Sequence, residues 1–250
     1  MILEYHRPKE IDQALVLLNR QHPRTLPLGG GTVLSQMSGL EIAVVDLQLL
    51  GLNRLFVEGS FLQAGATVTH EQFLQDANTP TALKQAIRLE ANLNVRNMAT
   101  VAGTIVAGNG ESSFLTTLLA ADTRLDWLPG DQQISLGEYL SLRRSSSPGK
   151  LISQIVIPLQ AALRFAAVGR SPMDRPILSV AAARWPSGRT RVVLGGLTTV
   201  PVMVMDGTDA SGAEAAIINA CSQLSTKWAS KEYIQETSKT LITRLLSDWE

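Results

Sequence analysis

The stretch from Val95 to Gly110, VRNMATVAGTIVAGNG, constrains the fold more than any other part of the sequence. It carries almost no bulky polar side chain, because glycine and alanine alternate with β-branched residues, and asparagine and threonine add short hydrogen-bonding groups. A backbone this bare can come close to another chain segment or to a ligand. The structural alternative is that Gly103, Gly108 and Gly110 only let strands and loops pack tightly.

A second glycine-rich segment, LGGGT (Leu28–Thr32), follows a predicted strand. Consecutive glycines can adopt positive φ and direct several N–H groups at one point, as backbone nests do when they bind phosphate. The segment is neither a Walker A loop nor a G-x-G-x-x-G fingerprint, so taken alone it favours a structural turn. The segment RNMATVAGT offers further N–H groups and threonine hydroxyls, and two such turns could hold a pyrophosphate from both sides.

Composition excludes several kinds of protein. Lys+Arg and Asp+Glu balance at 22 each, so no general attraction to nucleic acid or to an anionic membrane is expected. The only cysteine is Cys221, which excludes an internal disulfide, a cysteine-bound iron–sulfur cluster and a zinc ribbon. No apolar run can span a bilayer and the charged N-terminus is unlike a signal peptide, so we expect a cytoplasmic protein. We also expect no metal in this chain.

The hydrophobic pattern predicts helices and strands in both halves of the chain. Before residue 144, helices are predicted in RPKEIDQALVLLNR, HEQFLQDA, TPTALKQAIRLE and SSFLTTLLAADT, and strands in RTLPL and EIAVVDL. LNRLFVEGSFLQAGATVT predicts a hairpin of paired strands around a Glu58-Gly59 turn. The polar segment LRRSSSPGK predicts a boundary between domains at 1–146 and 147–250. Beyond it, strands followed by two helices favour an α+β unit with an antiparallel sheet.

In their order along the chain, these segments resemble the FAD-binding subunit or domain of molybdenum-containing hydroxylases, the xanthine dehydrogenase and carbon monoxide dehydrogenase type. LGGGTVL is similar to the family's AGGTDL pyrophosphate loop, and LQAGATVTHEQF to its GA-x-x-TH segment. NVRNMATVAGTIVAG resembles IRNxATIGGNIANA, the most specific motif. RVVLGGLTTVPV resembles RIALGGVAPxPV, so the likeness extends over nearly the whole chain.

The resemblance implies an α+β fold: a PCMH-type FAD-binding domain of two α+β subdomains, followed by a C-terminal α+β domain with an antiparallel sheet and terminal helices. It also implies the flavin component of an oxidoreductase, a medium subunit active only in a complex. In that family, FAD takes electrons from a 2Fe–2S small subunit and passes them to an external acceptor. A molybdenum-cofactor large subunit performs the hydroxylation, so no catalytic side chain is expected in this chain.

The same resemblance assigns cofactor-binding residues. One side of the FAD pyrophosphate site would be lined by Gly29, Gly30, Gly31, Thr32 and Val33. The other side would be lined by Thr100, Val101, Ala102, Gly103 and Thr104, with Asn97 shaping the second loop and Ser113 at the family's ribose-binding aspartate. Thr69 and His70 would lie near this site. His70 could contact the flavin; the alternative is a structural histidine, either next to a helix N-cap or at the surface with its hydrogen bonds satisfied.

Several residues depart from the family pattern. Val33 replaces an acidic residue of the family, and Thr104 replaces the asparagine of its GGN motif. The segment AGNGESS corresponds to the family's NASPxxD. In it, Gly110 replaces the proline and Ser113 replaces the aspartate. A hydroxyl bonds about half as strongly as a carboxylate, and Glu111 is a candidate to replace the lost charge. These departures keep two alternatives open: a flavin-free or weakly binding scaffold or binding protein, and a stand-alone flavin oxidase.

Overall fold

The computed structural model describes residues 1–36, 39, 41–143, 149–171, 174–222, 224, 228–247 and 249. The chain forms two compact units whose segments alternate along the sequence. Unit 1 comprises Met1–Ala77, Leu93–Ala107 and Arg124–Val156, and unit 2 comprises Asn78–Asn92, Gly108–Thr123 and Ile157–Glu250. The domain boundary predicted between residues 146 and 147 lies outside the described residues and stays a prediction.

Helices and strands alternate along the described chain. In chain order the helices are α1 (Ile11–Leu18), α2 (His70–Gln75), α3 (Thr81–Glu90), α4 (Leu93–Met98), α5 (Val101–Ala107), α6 (Ser113–Ala120), α7 (Leu136–Leu142), α8 (Ala213–Cys221) and α9 (Lys231–Ser247). The strands are β1 (Ile2–His6), β2 (Thr25–Leu28), β3 (Ile42–Asp46), β4 (Leu55–Glu58), β5 (Phe61–Gly65), β6 (Arg124–Leu128), β7 (Gln132–Ser135), β8 (Leu151–Pro158), β9 (Ala162–Val168), β10 (Leu178–Arg184), β11 (Thr190–Gly195) and β12 (Val202–Gly207). Within the described residues, no helix is both long enough and apolar enough to cross a membrane.

Unit 1 contains two sheets. In the first, parallel strands lie in the order β1-β3-β2, and every residue of β3 is buried, which explains the uninterrupted apolar run EIAVVDL. The second has the order β4-β5-β8-β6-β7, and its antiparallel pair β4–β5 is joined by a two-residue turn at Gly59-Ser60, so the predicted hairpin is confirmed with its turn one residue further along. The carboxyl end of β2 leads directly into the glycine-rich segment Gly29–Gly31.

Unit 2 is built on an antiparallel sheet of order β12-β11-β10-β9. Residues 178–183 of β10 are all buried, because α6 and α9 both contact this strand. Val180 of β10 belongs to one core with Ile217 of α8 and Ile242 of α9. The predicted C-terminal α+β arrangement, an antiparallel sheet with terminal helices, is confirmed.

Helix α6 begins at a carboxylate. Ser112 is its N-cap, and the Oγ of Ser112 accepts a hydrogen bond from the N–H of Leu115 at 3.1 Å. Glu90 Oε2 accepts hydrogen bonds from Ser112 Oγ at 2.8 Å and from the N–H of Phe114 at 3.1 Å. Burial raises the pKa of Glu90, although these hydrogen bonds act in the opposite direction. Glu90, and not the exposed Glu111, is therefore the carboxylate that accepts hydrogen bonds at the start of α6.

Candidate functional site

The two glycine-rich motifs contact each other within unit 1. A Cβ added to Gly30 would stand 1.6 Å from the carbonyl oxygen of Met98, and a Cβ added to Gly29 would stand 2.6 Å from Thr100 Oγ1. The contact of Gly30 is with a backbone atom and lies far below van der Waals distance, so only glycine allows this approach at residue 30, whereas the Thr100 side chain could adjust to a Cβ at residue 29. The fold therefore brings LGGGT against RNMATVAGT, segments about 70 residues apart in the chain.

In the glycine loop, four carbonyl groups accept hydrogen bonds, whereas four N–H groups have no acceptor among the described residues. Gly29 O accepts from Gln48 Nε2 at 3.1 Å, Gly31 O from Ser35 N at 3.0 Å, Thr32 O from Gln36 Nε2 at 2.9 Å and Val33 O from Gln36 N at 3.0 Å. Among the described residues, none accepts a hydrogen bond from the N–H of Gly30, Gly31, Thr32 or Val33. In a trans peptide the N–H of one residue points opposite to the carbonyl of the residue before it. A carbonyl that is fixed by a hydrogen bond therefore also fixes the direction of the N–H of the next residue.

These open donors suit an anion. Gly31 has φ +72°, the left-handed conformation that lets successive N–H groups of a short turn converge. Thr32 is partly buried and Val33 is 43% exposed, so the loop lies at the surface. The glycine loop thus offers N–H groups that could donate hydrogen bonds to the oxygens of a phosphate or diphosphate.

The second motif is helical, and the turn expected there is wrong. RNMATVAGTIVA folds as α4 and α5, joined at Ala99 and Thr100. Val101 and Ile105 are fully buried and lie four residues apart, so they form one face of α5 against the interior of unit 1. Gly103, between them, is exposed and lies on the outer side of α5.

Most N–H groups at the start of α5 are already hydrogen-bonded. Val101 N donates to Val68 O at 2.9 Å, Gly103 N to Thr100 Oγ1 at 3.2 Å, Thr104 N to Thr100 O at 2.9 Å, and Ala102 N makes a longer contact of 3.4 Å with Ala66 O. Two of these bonds tie the motif to the segment before α2, where Thr69 also forms an isolated antiparallel bridge with Thr100. Among the described residues, the open backbone donors of the site are therefore those of the glycine loop and the N–H of Thr100.

His70 lies beneath the second motif. It is the first residue of α2, directly after Thr69, whose hydroxyl caps the helix in a capping box with Gln72. The His70 side chain is fully buried, and its Nε2 lies 2.9 Å from Thr104 Oγ1. Burial, together with the positive charge of Arg96, lowers the pKa of His70 to about 4. The helix-capping neighbour is confirmed, but the surface position is wrong, because His70 supports Thr104 from inside.

The low pKa of His70 predicts that the protein loses stability in mild acid. The folded imidazole stays neutral down to about pH 4, whereas the unfolded one takes up a proton below about pH 6.5. The free energy of unfolding should therefore fall by up to about 3 kcal/mol between pH 6.5 and 4 from this group. Urea denaturation of the wild type and of His70→Gln at pH 7.5 and 4.5 measures it, and the variant should lose less stability on acidification. Equal losses in the two proteins would contradict the assignment.

The remaining predicted site residues differ in their surroundings. Asn97 is exposed, and its side chain forms no hydrogen bond with any part of the chain that the structure describes. Ser113 is the first residue of α6 in unit 2 and is buried, and its hydroxyl has no hydrogen-bond partner among the described residues. The roles of these residues toward a ligand stay predictions.

Sequence reasoning missed Gln48, the side chain that holds Gly29 O. Gln48 follows β3 and is exposed, so neither the hydrophobic pattern of the sequence nor burial identifies it as a site residue. The signal that could have found it is its place directly beyond VVDL. In a parallel sheet the end of β3 must lie beside the end of β2, where the glycine loop begins.

Comparison with known proteins gives the relatives of this chain. Residues 1–160 match the family described as FAD binding domain in molybdopterin dehydrogenase. The chain is 27% identical over 258 residues to "Uncharacterized protein YgfM" of Escherichia coli (strain K12), which covers 99% of this chain and 96% of that protein. It is also 27% identical over 169 residues to the carbon monoxide dehydrogenase medium chain of Afipia carboxidovorans, 62% of this chain and 58% of that one.

A solved structure shows the same fold. Quinoline 2-oxidoreductase from Pseudomonas putida 86 contains a chain that superposes with a TM-score of 0.82, over 99% of this chain and 96% of that one, at 17% identity. At this identity the likeness establishes the fold and nothing more, and the α+β prediction is confirmed. The family match covers more than half of the 250 residues. The chain therefore belongs to the family of the FAD binding domain in molybdopterin dehydrogenase.

Proposed function

We propose that this chain is the FAD-binding, electron-transfer subunit of a molybdenum hydroxylase or dehydrogenase complex. Its partners would be a molybdenum-cofactor large subunit and a 2Fe–2S small subunit. The observation that carries the proposal is the glycine loop: its N–H groups at Gly30, Gly31, Thr32 and Val33 have no acceptor in the described part of the chain, while four of its carbonyls accept hydrogen bonds. The carbon monoxide dehydrogenase medium chain among its relatives supports a subunit of this kind.

The loop residues fit the diphosphate of FAD. Convergent N–H donors bind phosphate oxygens without any positively charged side chain, and this loop supplies them beside the bare surface of α5. Thr100, Ala102 and Gly103 would line the site opposite the loop, since the loop already contacts Thr100. When bound, FAD supplies the redox chemistry, taking up electrons from one partner and releasing them to an acceptor. The residues of this chain bind and orient it.

If the diphosphate of FAD accepts hydrogen bonds only from the glycine loop, the affinity for FAD should be lower than if both motifs donated hydrogen bonds. Because the N–H groups of Val101, Gly103 and Thr104 are hydrogen-bonded inside unit 1, the second motif offers shape more than donors. This observation favours the second candidate function, a weakly binding or flavin-free homologue that acts as a scaffold or binding protein. A titration of the protein with FAD distinguishes the electron-transfer subunit from the scaffold or binding protein.

Ala102→Asp should weaken binding of FAD and of ADP at least about tenfold relative to Ala102→Asn. Ala102 is the second residue of α5 and partly exposed, and an aspartate at the start of a helix is compatible with its dipole, so the fold should be kept. Its charge, however, would repel a neighbouring diphosphate. Calorimetry and flavin fluorescence on the purified protein measure the effect.

The asparagine variant controls for size, because it matches aspartate in shape and lacks its charge. Equal FAD affinities for the two variants would place the diphosphate away from α5. A wild-type protein that binds neither FAD nor ADP at high micromolar concentration would remove the flavin function and leave the scaffold or binding protein.

A further inference from the structure

The Gly29 carbonyl is held differently from the other carbonyls of the glycine loop. The carbonyls of residues 31 to 33 accept hydrogen bonds from residues a few positions further along the same loop. Gly29 O instead accepts from the side-chain amide of Gln48, at 3.1 Å, from beyond the neighbouring strand β3. This bond joins the first peptide of the loop to the sheet.

Gln48 is itself held in place by a buried carboxylate. Its backbone N–H donates to Asp46 Oδ1 at 2.9 Å, and Asp46, the last residue of β3, is only 5% exposed. The other carboxylate oxygen, Asp46 Oδ2, accepts from the Tyr5 hydroxyl and lies 3.2 Å from Arg7 Nε. Both strands that flank this point, β1 and β3, thus fix the carboxylate that places Gln48.

The bond to Gly29 O determines where the N–H of Gly30 points. The peptide group between Gly29 and Gly30 is a rigid plane with the carbonyl oxygen and the N–H on opposite sides. Both residues that flank the plane are glycines, so without a tether the plane can rotate at little cost. A half-turn would replace the open N–H of Gly30 by a carbonyl oxygen, which repels an anion.

We propose that Gln48 is a positioning residue for diphosphate binding: it holds the Gly29–Gly30 peptide plane so that the N–H of Gly30 faces the ligand. This inference rests on the proposed function, and it assigns to that site a residue outside both glycine-rich motifs. Asp46 contributes by fixing Gln48.

The test compares Gln48→Met with Gln13→Met, and ADP is the diphosphate probe. Methionine has the length of glutamine but lacks the amide donor, and Gln13 is an exposed glutamine of α1 in the same unit. We expect Gln48→Met to bind ADP about tenfold more weakly than the wild type and Gln13→Met to bind it equally well. The urea midpoint should be unchanged in both, because both side chains are exposed.

A ligand-free measurement makes the test independent of ADP binding. In ¹H–¹⁵N spectra without ligand, the Gly30 amide signal should be broadened or displaced in Gln48→Met and unchanged in Gln13→Met. If Gln48→Met keeps both wild-type ADP affinity and a wild-type Gly30 signal, the positioning role is overturned while the proposed function stands. If the wild type binds neither ADP nor FAD, the proposed function fails and the positioning role fails with it, whatever the Gly30 signal shows.

Discussion

Gly30→Ala is expected to abolish FAD binding and to lower the free energy of unfolding by about 4 kcal/mol or more, at the upper end for single substitutions. The added Cβ would stand 1.6 Å from the carbonyl oxygen of Met98, and a backbone atom cannot rotate aside as a side chain can. The loop must therefore separate from the junction of α4 and α5. Chemical denaturation and FAD titration of the purified variant measure the two effects.

Gly103→Ala is the matched control for Gly30→Ala. There the Cβ would meet only the hydroxyl of Thr100, at 2.8 Å, and that side chain can adjust. Gly103 also lies inside α5, where alanine is favoured over glycine by roughly 0.5–1 kcal/mol, so the net change in stability should be small. If Gly30→Ala were as stable as Gly103→Ala, the close contact between the two motifs would be wrong.

Gly110→Pro should destabilise unit 2 by about 4 kcal/mol or more, although the resembling family carries proline at this position. The N–H of Gly110 donates to Thr199 O at 2.9 Å, and a Cβ at Gly110 would stand 1.8 Å from Thr198 O. Proline would remove the hydrogen bond and add the clash. The departure from the family pattern thus has a structural cause, the close approach of this turn to the segment between β11 and β12.

The control for Gly110→Pro is Glu111→Ala at the neighbouring exposed position. Its side chain is exposed, so its change in the free energy of unfolding should stay within about 0.5 kcal/mol. Urea denaturation followed by tryptophan fluorescence compares the two variants with the wild type. Full stability of Gly110→Pro would show that the turn does not need the N–H of residue 110.

Local patterns predicted most of the scaffold. EIAVVDL is a short apolar run, the β4–β5 hairpin has a glycine turn, and the terminal helix α9 has apolar residues at helical spacing, so the structure of each follows from the sequence alone. The second motif was misread because glycine and alanine indicate close approach without fixing the conformation. The spacing of Val101 and Ile105, four residues apart and both buried, contains the helical signal.

The candidate site was predictable in its parts but not in its contacts. LGGGT and RNMATVAGT together indicated an anion-binding site. Which carbonyls of the loop accept hydrogen bonds, however, depends on Gln48 and Gln36, and only the folded chain shows these bonds. In the same way, the carboxylate at the start of α6 comes from Glu90, more than 20 residues before Glu111 and Ser113, the positions at which an acid was sought. Long-range contacts of this kind leave no local pattern.

The most direct test of the central claim is a ¹H–¹⁵N spectrum of the wild-type protein during addition of FAD, with ADP in a parallel titration. We expect both ligands to shift the amide signals of Gly30, Gly31, Thr32 and Val33, whose N–H groups are open. The signals of Val101, Gly103 and Thr104, whose N–H groups are already hydrogen-bonded, should move less. Unmoved loop signals at saturating FAD, or shifts confined to α5, would contradict the claim that the glycine loop holds the diphosphate.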